Sequence, residues 1–166
     1  MLPSCLAPTF KSGRSSLSIW GGITYNRRSS LVFFNKGQRS SNDFIKQVYE
    51  PVLLDFYNSC STPVLMEDNA PIHTAKVARE WKDNHQIVRL NWPPQSPDLN
   101  PIENLWMILK RAKERRFEYV RNIESLKVLV ESEWNLMSIE KINKLIDSMP
   151  KRMKDVIRSK GYLIDY

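Results

Sequence analysis

Acidic side chains are missing from the first 42 residues, and before Glu67 only Asp43, Glu50 and Asp55 appear. A carboxylate-based site therefore has almost nothing to draw on in the N-terminal third. No apolar run approaches the roughly 18 residues needed to cross a bilayer, so a membrane partner is not expected. The N-terminus has no basic region followed by an apolar core, so no secretory leader is expected. Cysteine is scarce: Cys5 and Cys60 lie far apart and have no metal-type spacing. They read as reduced thiols of a soluble intracellular protein. Internal repeats and low-complexity tracts are absent too.

The chain does have a core and a charge. Its 166 residues are 42% hydrophobic, enough for one domain. The formal net charge of +7 and a pI near 9.5 favour a polyanionic partner.

Hydrophobic patterning places the elements. Residues 1–16 are polar with two prolines and a glycine, and read as a loop or extended arm. Residues 17–25 alternate around Trp20 and residues 31–34 are a β-prone run, joined through Asn26-Arg27-Arg28-Ser29 as a hairpin. Gly21 and Gly22 beside Trp20 read as positions that relieve crowding around a core tryptophan. Ile45, Val48, Tyr49, Val52 and Phe56 repeat at helical spacing, predicting a helix over 42–58 that Pro51 interrupts or kinks. Residues 63–67 and 86–90 read as short strands around a helix over 74–84 with Val77, Ala78 and Trp81 inward. Strands separated by helices imply an α/β sheet with parallel neighbours.

Trp92 to Pro101 holds four prolines in ten residues, so it reads as a stiff ordered loop. A helix follows from Pro101 to about Phe117. Three more cover 123–135, 139–148 and 151–159, with Pro150 separating the last two and Gly161 ending the third.

Two carboxylates stand out by position. Asp68 follows the apolar run Val64-Leu65-Met66, at the end of a buried strand. Glu103 falls in the first turn of the helix that Asn100 caps and Pro101 begins. Both would ride on rigid elements and could converge as a divalent-metal site for phosphoryl transfer. Each also has an ordinary reading: Asp68 closing a local turn, and Glu103 reaching back to the Asn100 amide in a capping box.

The segment resembles the catalytic domain of mariner-like (Tc/mariner superfamily) transposases, which carry a DDE triad on a ribonuclease-H-like fold. The family's D-N-x-P-x-H motif is matched by Asp68, Asn69, Pro71 and His73. Its W-P-x-x-S-P-D-L-N-P-I-E-N-x-W motif is matched by Trp92 through Trp106, with Pro97 and Asn100 inside it. Between Asp68 and Glu103 lie 34 residues (69–102), the separation typical of one large branch. Trp20-Gly21 and the C-terminal Ser148-Met149-Pro150-Lys151-Arg152 also look like family features, so the resemblance covers about residues 5–166.

The resemblance implies an α/β, ribonuclease-H-like three-layer domain, N-terminally truncated with its first strand missing, and a C-terminal helical tail. Its parts would be 1–16 as the arm, 17–117 as the partial DDE domain and 118–166 as a helical segment of the same domain. It also implies catalytic and metal-ligating roles for Asp68 and Glu103, with Mg²⁺ or Mn²⁺ as cofactor in the intact family. The partner would be transposon-end DNA, the location nuclear, and homo-oligomers are compatible. The family's first Asp, in a W-S/T-D-E setting, has no match, so weak or single-metal binding and impaired cleavage are expected. The alternative is a non-catalytic, transposon-derived DNA-binding or protein-interaction module.

Lys76 and the run containing Lys110, Arg111 and Lys113 are candidate nucleic-acid contacts. That run reads equally as a solvated helix face, or as an import signal locked in a helix. For His73 a structural role at the start of the following helix is favoured over metal ligation.

Overall fold

The computed structural model describes residues 4–6, 10–12, 15–34, 37–93, 96–116, 118, 120–162 and 164. Pro94, Gln95, Phe117 and Tyr166 therefore lie outside the described residues. The sheet is organised on β3 (Ser15–Thr24). Trp20 pairs antiparallel with Leu6 of β1 (Ser4–Leu6) and with Val32 of β5 (Val32–Phe34). Each strand forms one flank of β3. Strand β2 (Phe10–Ser12) pairs with the start of β3, and β4 (Arg27–Arg28) with its end. Within the stretch expected as a loop or arm, the described residues include β1 and β2, two short extended pieces that pair with β3. Neither piece carries a carboxylate.

Strand alternation splits the core into two layers. Leu17, Ile19 and Ile23 pack on one side with Leu105 and Trp106 of α5 (Pro101–Arg115). Trp134 of α6 (Ile123–Leu136) and Ile142 of α7 (Ile139–Asp147) join that cluster. Trp20 faces the other way, into a cluster with Phe44, Val48, Tyr49, Leu65 and Ile87. Gly21 lies against the first layer: a Cβ there would meet Leu31 at 2.9 Å and Trp106 and Trp134 at 3.2 Å each. Helices on both faces of a sheet make the three layers expected from the sequence.

The interrupted helix becomes a continuous helical rod. α1 (Ser41–Phe44) leads into a π-helical stretch, Ile45–Leu53, and then α2 (Leu54–Asn58). Pro51 has no N–H and crowds the preceding turn; the wider π turn accommodates it, with the Leu54 amide donating to the Tyr49 carbonyl.

The two short strands expected around Leu65 and Val88 are extended segments joined by one parallel bridge, Leu65 to Arg89. The Leu65 amide donates to the Val88 carbonyl at 2.7 Å, and the Leu90 amide to the Leu65 carbonyl at 2.8 Å. The helix expected over 74–84 breaks at Ala75, whose extended backbone separates α3 (Pro71–Thr74) from α4 (Lys76–Asn84). Ala78 is buried as expected, but Val77 is exposed and Lys82 is buried instead. α8 (Met149–Arg158) begins with Pro150 in its first turn, and Gly161 with φ +85° follows it.

Candidate metal and phosphoryl-transfer site

Asp68 leaves the bridged segment one residue after Glu67, and successive side chains on an extended backbone point to opposite faces. The Asp68 carboxylate is 44% exposed, while that of Glu67 is 7% exposed. The Ala70 amide donates to Asp68 Oδ1 at 3.0 Å. The local turn bond is therefore real, and it uses only one of the two oxygens. Asn69 donates from Nδ2 to the Trp92 carbonyl at 2.9 Å, tying this motif to the start of the proline-rich loop.

That loop ends in a 3₁₀ turn, Pro97–Leu99, with Asp98 and Leu99 buried. The Asn100 amide donates to the Pro97 carbonyl at 3.0 Å, so the amide that a capping box would use is already taken. Asn100 starts α5 without a side-chain cap bond, so no capping box holds Glu103. Its carboxyl is raised above the ordinary value, first by partial burial and further by the Asp68 carboxylate; Lys110 opposes the shift. Asp68, Asn69, Pro97, Asn100 and Glu103 line one cavity of about 380 Å³. Two carboxylates separated by 34 residues (69–102) thus share a groove.

His73 is 1% exposed and packs edge-on against Phe44, with ring centroids 4.8 Å apart. Its Nδ1 is 3.2 Å from the Tyr49 hydroxyl and 3.2 Å from Glu67 Oε1. Sequence reasoning missed the residues behind it. Lys82 Nζ donates to Glu67 Oε2 at 2.5 Å, and Tyr49 donates to Glu67 Oε1 at 2.6 Å. Burial alone would raise the Glu67 carboxyl, but the facing His73 and Lys82 outweigh it and hold the group at about 2. Burial and the same carboxylate push the Tyr49 phenol upward. One signal was available: if Asp68 faces a groove, Glu67 faces inward, and a buried carboxylate calls for a cation.

The basic candidates fall on two helices. Lys76 opens α4, exposed and 3.6 Å from Glu80. Lys110 and Arg111 are exposed on α5 and Lys113 is half-buried. Lys110 follows Glu103 by two helical turns and so lies on the same face of α5. Among the described residues, no group of three or more His, Cys, Asp and Glu gathers as a metal cage. The donors lining the groove are carboxylate and amide oxygens, the type that hard divalent ions take.

A central sheet with helices on both faces and two carboxylates on one groove defines an α/β domain of ribonuclease-H-like type. The catalytic domain of Mos1 transposase, solved with raltegravir and Mn, shares this fold. It superposes with a TM-score of 0.82 at 16% identity, covering 98% of this chain and 84% of that one. A Mos1 transposase paired-end complex with left transposon end superposes at 0.77 with 19% identity, covering 99% and 53%. Residues 8–127 match the model of the DDE superfamily endonucleases, and the chain belongs to that family. Among curated proteins, the chain is similar to transposases of Tc-type transposable elements. The Tc1 transposase of Caenorhabditis elegans is 34% identical over 169 residues, 99% of this chain and 59% of the relative. The Tcb1 transposase of Caenorhabditis briggsae is 33% identical over 172 residues, with the same two shares. The chain thus spans 59% of the length of these curated relatives.

Proposed function

We propose that this chain supplies two carboxylates of a divalent-metal site for phosphoryl transfer on DNA, with Asp68 and Glu103 as the ligands. The observation that carries the reading is the groove they share across 34 intervening residues. When bound, Mg²⁺ or Mn²⁺ would polarise a phosphodiester and its nucleophile. The chain's own contribution is geometric and electrostatic. The Ala70 amide restrains one Asp68 oxygen and leaves the other for a cation. Glu103, raised by burial and by Asp68, sits in a repulsion that a cation relieves. Lys110, Arg111 and Lys113 extend from the groove along α5 as phosphate contacts, with Lys76 contributing from α4. The partner is transposon-end DNA in the nucleus, and paired ends imply more than one copy of the chain.

A second reading is favoured by one observation: no third acidic ligand joins the pair among the described residues. The chain would then be a basic DNA-binding or protein-interaction module without cleavage activity. Equilibrium binding to a labelled duplex, with and without Mn²⁺, separates the two. The metal-site reading expects Mn²⁺ to tighten binding by the native chain and not by Asp68→Ala. Equal affinity in both conditions supports the second reading. In either case, Lys110→Gln should lower the slope of log affinity against log salt by about 1.

A further inference from the structure

Directly behind Asp68 lies a buried polar cluster that metal ligation does not use. Lys82 Nζ bridges Glu67 Oε2, at 2.5 Å, and the His73 carbonyl, at 3.0 Å. The Tyr49 hydroxyl spends its hydrogen on Glu67 Oε1. Both groups facing His73 Nδ1, the Tyr49 oxygen and the Glu67 carboxylate, are then acceptors, so Nδ1 carries the ring hydrogen. The ring orientation is set by those contacts and by the flanking Phe44. Its other edge faces Asp68: His73 Nε2 is buried, has no hydrogen-bond partner, and stands 3.6 Å from Asp68 Oδ1. That distance is too long for a hydrogen bond but sets a wall beside the inner oxygen.

Asp68 Oδ1 thus lies between the Ala70 amide and the His73 ring, and the ring is held by the Glu67–Lys82 pair. The pair also joins the residue before Asp68 to α4 and, through Tyr49, to the π-helical stretch. We infer that Glu67 and Lys82 are positioning residues for Asp68, fixing the His73 ring so that the outer carboxylate oxygen is aimed into the groove shared with Glu103. The inference rests on the proposed metal site for its function but on the buried cluster for its geometry. Replacing a buried ion pair by apolar residues of similar volume is often neutral for stability, so removing both charges together is the change that best keeps the fold while releasing the ring.

The test compares Mn²⁺ affinity by calorimetry in the native chain, Lys82→Met, Glu67→Gln and the double variant Glu67→Gln/Lys82→Met. Lys82→Met leaves a buried anion unpaired and is the change most damaging to folding. The double variant removes both charges, and circular dichroism checks that it folds. Positioning predicts that the folded double variant loses about 10- to 100-fold in Mn²⁺ affinity, the usual consequence of removing a support behind a ligand. Simple long-range charge predicts instead that Glu67→Gln weakens binding, Lys82→Met strengthens it and the double variant matches the native chain. That pattern overturns the inference.

A second readout needs no metal. The Asp68 side-chain carboxyl ¹³C resonance should shift or broaden in the double variant as the carboxylate loses its single orientation. If the native chain binds no Mn²⁺ but this resonance moves, the proposed function fails and the positioning stands. An unmoved resonance in the folded double variant contradicts the positioning.

Discussion

The Arg152 guanidinium on α8 donates from Nη1 to the Asp98 carbonyl, 54 residues earlier, at 3.0 Å. The same side chain donates from Nη2 to Asn104 Oδ1 at 2.9 Å and from Nε to Ser148 Oγ at 2.8 Å. Asn104 is the neighbour of Glu103, and Asp98 lies in the 3₁₀ turn that delivers α5. The C-terminal helix is therefore tied to the segment that sets the entry of Glu103.

Arg152 is 4% exposed, so replacing it strands buried acceptors. Arg152→Met should cost about 2–4 kcal/mol in urea unfolding at unchanged m-value. Arg152→Lys should recover little, because an ammonium cannot span the three acceptors that the planar fork reaches. A loss below about 1 kcal/mol for Arg152→Met would show that the link is incidental.

The buried Glu67 carboxyl gives a pH prediction. Its folded value, about 2, lies below the ordinary carboxyl value of 4.5, so the unfolded chain binds the proton more readily. The stabilisation is present above about pH 4.5 and is lost as pH falls from there towards 2. A depression of this size corresponds to a contribution on the order of 3 kcal/mol. Glu67→Gln should flatten the fall in unfolding free energy over that acid window. A variant as acid-sensitive as the native chain would assign the effect to other carboxylates.

Gly21 is a packing requirement. An added Cβ would lie 2.9 Å from Leu31 Cδ2 and 3.2 Å from two tryptophan rings at once. Gly21→Ala should cost about 1–3 kcal/mol by forcing the core apart. Gly22→Ala meets Phe56 at 3.3 Å and Trp20 at 3.5 Å and should cost less. Thermal unfolding of both variants checks the order, and reversal would mean that the Trp106–Trp134 stack yields easily.

Much of this was legible in the chain. Alternation around Trp20 marked β3, whose two faces feed the two core layers, and the 3.6-residue stripes marked α6 and α7, each of which buries one face. That Asp68 and Glu103 would line one groove was readable because the end of an extended segment and a helix start fix direction. The π-helical stretch was less so: a proline in a helical pattern says that the ladder must adjust, without saying how. Val77 was expected inward because apolar spacing favoured it, but it is exposed, and the burial of Lys82 depends on a carboxylate 15 residues away in sequence. The Arg152 link was invisible for the same reason, since side-chain hydrogen bonds across long separations leave no periodicity.

The most direct measurement of the proposed site is anomalous diffraction from crystals of the chain soaked in Mn²⁺. The account predicts a peak in the groove within about 2.0–2.6 Å of one oxygen from Asp68 and one from Glu103. That peak should vanish in Asp68→Ala crystals soaked under the same conditions. A peak held by other residues, or none between these two carboxylates at saturating Mn²⁺, would contradict it.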